Sequence, residues 1–128
     1  MRQPLVLVAL AWLTAACSSV DSQTTQYVGA PHFAPSDPKT VEIMRTEPKQ
    51  PFDQLGEIVV DASVEPAPPI AEIEQRLRDE AAKLGASAVV VVFDRVQPNG
   101  AYVTGGWYTR SVQVTEGRKI VGVAIRNR

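Results

Sequence analysis

The chain's only cysteine, Cys17, most limits what it can fold into. A single thiol closes no intramolecular disulfide. With His32 the only histidine, a His/Cys metal site is also excluded. The fold must therefore rest on an apolar core. The position of Cys17 is equally constraining. Arg2 opens the chain, the stretch from Pro4 to Leu13 carries no charge, and Ala15-Ala16 stands directly before the cysteine. A basic start, a short apolar run and small residues at a cut describe a secretory signal peptide over 1–16. The run is too short to cross a bilayer, which takes about 20 apolar residues. Removing 16 of 128 residues leaves 112, room for one domain. The formal charge of −1 becomes −2 when Arg2 leaves, and no basic patch points to nucleic acid.

The stretch Leu13-Thr14-Ala15-Ala16-Cys17 resembles a bacterial lipobox. That resemblance implies an envelope lipoprotein in which Cys17 is lipidated and becomes the mature N-terminus. The other reading of the same residues is an ordinary secretory cut that leaves Cys17 as a stray thiol. Each buried CH₂ of an acyl chain is worth about 0.8 kcal/mol, so two or three chains anchor effectively for good. Ser18 stands where an Asp favours inner-membrane retention in enterobacterial lipoproteins, which implies the periplasmic face of the outer membrane.

Downstream, 17–39 reads as the lipidated cysteine and a flexible tether. It is Ser/Thr/Gln-rich, then carries Pro31, Pro35 and Pro38, with little apolar content. A flexible chain of this length spans about 25 Å. A single domain is expected over 40–128. Strands are predicted at Thr40–Thr46 and Leu55–Val64. Ile70, Ile73, Leu77, Ala81 and Leu84 step by three and four, which predicts a helix over 69–84 opened by prolines and stopped by Gly85. Val89–Phe93 is a continuous apolar run, expected to be covered on both faces or to lie at an interface. Pro98-Asn99-Gly100 reads as a turn, Ala101–Tyr108 as strand or loop, and Glu116-Gly117-Arg118-Lys119 as a hairpin turn between strands at 111–115 and 120–126. The expected order is β-β-α-β-(β)-β-β: an α+β fold with one amphipathic helix on a mostly antiparallel sheet, a two-layer sandwich.

The helix exit, Glu80-Ala81-Ala82-Lys83-Leu84-Gly85-Ala86-Ser87-Ala88-Val89-Val90, resembles a signature of the form A-A-x-L-G-A-N-A-V-V. It occurs in small bacterial YbjQ-type domains and at a similar junction in the lipoprotein sensor of the Rcs envelope-stress relay. The resemblance spans roughly Leu55 to Val92 and the last strand. It implies the α+β fold, and for YbjQ-type domains it implies rings. The disulfides of the Rcs sensor have no counterpart here.

No residue set for catalysis stands out. Ser63, Ser87 and Ser111 have no His partner in the expected domain, and His32 falls in the tether. Asp53, Glu57, Asp61 and Glu65 recur every four residues, which places them on one strand face. They read as a solvated face, an acidic docking surface or a carboxylate cation site. The candidate partner-binding residues are Tyr102, Trp107, Tyr108 and Arg110. They are types enriched at interfaces and are set around Gly105-Gly106; packing of the same aromatics into the domain is the alternative. The expectation is a non-enzymatic binding or stress-sensing module without a cofactor. Its partners would be the membrane through the N-terminal lipid and either another envelope protein or a further copy of the chain. A self-assembling structural module is the alternative.

Overall fold

The computed structural model describes residues 20–64 and 67–128. The signal peptide, the lipidation of Cys17 and Glu65 lie outside the described residues. The fold is a small α+β domain with one helix and a mixed sheet. Strands β1 (Asp21–Gln26), β2 (Glu42–Met44), β3 (Phe52–Ala62), β4 (Ala88–Thr104) and β5 (Ser111–Asn127) join in the order β1-β3-β5-β4-β2. Three of the four pairings are antiparallel, and β2 runs parallel to β4.

Helix α1 (Ile70–Lys83) follows Pro69 and lays Ile73, Leu77 and Ala81 into the core. Ile70, the first residue of the predicted stripe, is exposed. The helix ends in a Schellman motif: Ala86 N–H donates to Ala81 O at 3.1 Å and Gly85 N–H to Ala82 O at 3.0 Å. Gly85 has φ +75°, and a Cβ there would sit 2.6 Å from Ala34 O, so both backbone and space require glycine. One face of the sheet meets the helix through Leu55, Ile58, Val60, Val89, Ile120 and Ala124, all buried. The opposite face carries a smaller cluster of Ala88, Val90 and Ile125 with Met44, Phe52 and Val123. The run Val89–Phe93 is thus buried on both sides only at Val89 and Val90; Val92 is exposed.

Three expectations are corrected. The segment read as tether contains β1, an edge strand paired with β3 from Asp21↔Asp61 to Gln26↔Gly56. Its Ser/Thr/Gln composition suits an edge because its hydroxyls reach a buried acid. Thr24 Oγ1 donates to Glu80 Oε2 at 2.9 Å, Ser22 Oγ to Glu80 Oε1 at 3.3 Å, and Lys83 Nζ to the same oxygen at 2.8 Å. Burial opposes the charge on Glu80, but the Lys83 and Thr24 hydrogen bonds and the charges of Lys83 and Arg76 outweigh it and lower the pKa. Val20 is buried, Phe33 packs on the core, and Ser36 N–H donates to Ala82 O at 2.9 Å, so the chain from residue 20 onward is laid against the domain.

Second, the predicted turns at Pro98–Gly100 and Glu116–Lys119 are not turns. They face each other across one long ribbon: Pro98 pairs Glu116, Gln97 pairs Gly117, and the register slips between Pro98 and Gly100. Beyond Val90, β4 pairs with β5 alone among the described strands, so Pro98 interrupts no second ladder. Third, the acidic series does not share a face. The register slip between Gln54 and Gly56 leaves Asp53 opposite Arg126, on the helix side, while Glu57 and Asp61 oppose Val123 and Lys119 on the other.

Candidate functional site

The sheet ends at the row Asp21–Asp61–Lys119–Arg95, with Ala62 pairing Arg118 one step further. Past it β4 and β5 continue as a two-stranded ribbon, from Val96↔Arg118 to Thr104↔Ser111. Directly paired residues share a face, so Ala101, Val103, Val112 and Val114 form one apolar side and Tyr102, Thr104, Ser111, Gln113 and Thr115 the other. Tyr102 hydroxyl donates to Gln113 Oε1 across the polar side. Val103, Val112 and Val114 are each about 60% exposed, at 59%, 63% and 60%, so no described residue covers the apolar side.

The tip is built by Gly105–Arg110. Thr109 N–H donates to Gly106 O at 3.1 Å and Gly106 N–H to Thr109 Oγ1 at 3.2 Å, closing a turn whose two central residues are Trp107 and Tyr108. No described non-glycine residue has positive φ, so the tip is not a primed hairpin turn. The left-handed backbone falls instead on Gly105, φ +102°, where a Cβ would lie 2.1 Å from Thr109 O. Trp107 is 77% exposed and Tyr108 96%, which removes core packing as an account of either. The Arg110 guanidinium lies over the Trp107 ring, 4.8 Å from its centre. The structure thus gathers Trp107, Tyr108 and Arg110 at one outward point, with Tyr102 lower on the ribbon.

The ribbon is held at its base by charge. Arg118 Nε and NH2 each donate to Asp94 at 2.8 Å, and Arg45 NH1 donates to Asp94 Oδ2 at 2.9 Å. Arg45 also stands 3.9 Å from Glu74 of the helix. The Arg118 hydrogen bonds dominate and, joined by Arg45, hold the Asp94 carboxyl at about 2 against the burial that opposes them. The sequence reading missed this clamp. Asp94 falls at the end of one expected strand and Arg118 inside an expected hairpin turn, and only the register brings them together.

Ser87, His32 and Asp53 each have a partner within the fold. Ser87 Oγ donates to Ile125 O at 3.4 Å and accepts from Asn127 N–H at 3.0 Å. His32 Nδ1 lies 3.0 Å from Gln26 Nε2. Asp53 pairs with Arg128 at 2.9 Å. A cleft of about 350 Å³ on the face away from the helix is floored by Phe52, Val90, Val123 and Ile125 and edged by Arg45 and Glu47. Among the described residues, no three His, Cys, Asp or Glu side chains are grouped to hold a metal ion, and no helix is long and apolar enough to cross a membrane. Comparison with known protein families, curated proteins and solved structures returned no match.

Proposed function

We propose that the chain is a membrane-anchored envelope lipoprotein, lipidated at Cys17 and held at the periplasmic face of the outer membrane. Its two-layer α+β domain acts as a non-enzymatic binding or stress-sensing module. The observation that carries the binding role is the ribbon. An isolated two-stranded hairpin is marginal in water, yet this one extends beyond the core with an uncovered apolar side and an aromatic tip. Exposed apolar surface of that kind marks a contact site, and Trp, Tyr and Arg are the residues that carry contact energy. The signature at the helix exit supports kinship with YbjQ-type and Rcs-sensor-type domains. The alternative, a self-assembling module, draws on Val59, Phe93, Val121 and Val123, which lie half-buried on the sheet face that the helix does not cover.

Two measurements test this reading. Cys17→Ala should leave an unprocessed precursor or a soluble periplasmic form; a Cys17→Ala chain that has lost its signal segment and still partitions into the detergent-rich phase rules out the lipid anchor. A photo-crosslinking residue at Tyr108, used in the native envelope, should give discrete adducts that the same residue at Glu72 on the helix does not. Equal yields at both positions would refute a binding tip.

A further inference from the structure

The start of β1 and the ribbon leave the sheet at the same end. Asp21 lies in one row with Asp61, Lys119 and Arg95, and the ribbon begins on the next residues of β4 and β5. Val20, the last residue before β1, is buried and fixed to the domain. Only three residues of chain reach from there to Cys17, which allows at most about 11 Å. The ribbon runs from Arg118 to Ser111, about seven steps or about 23 Å at strand rise, with the Trp107–Tyr108 turn beyond. A bilayer that receives Cys17 at this end of the sheet therefore lies within reach of the ribbon as well.

We propose that the ribbon tip is a second membrane contact, resting Trp107 and Tyr108 in the headgroup layer of the bilayer that receives the Cys17 lipid. This rests on the reading of Cys17 as the anchor. The chemistry of the tip fits a lipid surface. The sixteen residues from Gly100 to Thr115 include no Asp or Glu and a single positive charge, Arg110. Trp and Tyr are the side chains that settle at membrane–water interfaces, where an apolar ring and a polar edge are both satisfied. The apolar side of Ala101, Val103, Val112 and Val114 gives the ribbon a face to lay on that layer. Depth is limited by the backbone. A two-stranded ribbon has outer edges with free N–H and C=O groups, which hydrocarbon does not tolerate. The tip therefore stays at headgroup level. The domain would stand on two points, lipid and ribbon, which fixes its orientation instead of leaving it to swing.

The test uses the processed, lipidated chain in vesicles of phosphatidylethanolamine and phosphatidylglycerol. Trp107 is the only tryptophan after Cys17, so its emission reports the tip alone. The expected result is a blue shift on reconstitution, and loss of emission to lipids brominated near the headgroup in preference to lipids brominated at the chain ends. A double variant, Trp107→Phe with Gln50→Trp, moves the reporter to the opposite end of the sheet and should escape quenching. Red, unquenched Trp107 emission in protein that floats with the vesicles overturns the proposal and leaves the anchor standing. So does a tip that crosslinks to a protein and not to lipid. Equal quenching of both reporters also overturns it, because the domain would then lie flat. Failure of the lipidated chain to float removes the anchor, and the proposal with it.

Discussion

Arg118 grips both carboxylate oxygens of Asp94, Nε on Oδ1 and NH2 on Oδ2, at 2.8 Å each. The two residues sit on neighbouring strands at the point where the sheet gives way to the ribbon, Arg118 pairing Val96 and Asp94 pairing Ile120. Arg45, from the segment after β2, holds the same carboxylate and faces Glu74 of the helix. The direction of the ribbon is thus tied to the helix and to the far edge of the sheet, not to β5 alone.

Asp94→Ala should therefore do two things. It removes charge-assisted hydrogen bonds to two arginines, one of them bidentate, and should cost about 2 kcal/mol of stability. It should also loosen the ribbon more than the core. Amide exchange is the measurement: protection of residues 96–104 and 111–118 should fall by a larger factor than that of β3. A uniform fall would mean that the clamp holds the domain as a whole and does not aim the ribbon.

The same carboxylate sets an acid dependence. Its folded pKa, about 2, lies below the ordinary 3.8, so the folded state releases this proton more readily than the unfolded chain does. The stabilisation is complete above the unfolded value and is lost as pH falls from about 4 towards about 2. Glu80, also lowered, contributes with the same sign. The thermal midpoint should fall across that window, and Asp94→Asn should flatten the fall by on the order of 1–2 kcal/mol. A wild-type midpoint that does not respond to pH there would contradict the clamp.

What the sequence made legible was set by local signals. Pro69 and Gly85 bracket the helix, and the step from Ile73 to Leu77 to Ala81 marks its buried side; all of these are short-range, and the structure holds them where they were read. β1 was not legible because Ser22, Thr24 and Gln26 carry no apolar alternation. They become a strand by pairing with residues thirty or more positions away, and Ser22 and Thr24 also bond Glu80. Pro98, Gly100 and Gly117 are turn formers, but two sets of them on facing strands make an irregular ribbon instead of two turns. The candidate residues at 102–110 were visible by type. Their projection from the domain depends on how far the β4–β5 ladder runs past β3, which no window of sequence contains.

Leu77 lies at the middle of the helix stripe and is fully buried among residues of all the central strands. Leu77→Ala should cost about 2–5 kcal/mol, the range for buried leucine truncations. Against a total of about 5–15 kcal/mol for a domain, that moves the urea midpoint by a large share of its value. Gly122 adds a local reason for the high end. A Cβ there would stand 2.5 Å from Val89 Cγ1 and 3.5 Å from Leu77 Cδ2, so the leucine packs down onto bare backbone. A midpoint that barely shifts would show that the helix does not rest on the sheet through this residue.

Trp107 separates stability from binding most cleanly. It is 77% exposed, and its described partner is the Arg110 guanidinium, a contact worth about 0.5–1 kcal/mol at an exposed site. Trp107→Ala should therefore change folding stability by less than about 1 kcal/mol, where a core tryptophan would cost about 3–5 kcal/mol. In the processed chain without vesicles, its emission should be red-shifted and open to quenching by acrylamide. The proposed contact behaves differently. A hot-spot aromatic carries about 2 kcal/mol or more, so Trp107→Ala should sharply reduce the crosslinks formed from Tyr108 in the envelope while the thermal midpoint holds. The two readouts move independently only if the tip is a contact. A variant that loses its midpoint and its crosslinks together would place Trp107 in the packing of the ribbon, and the apolar side of Val103, Val112 and Val114 would then have to carry any contact alone.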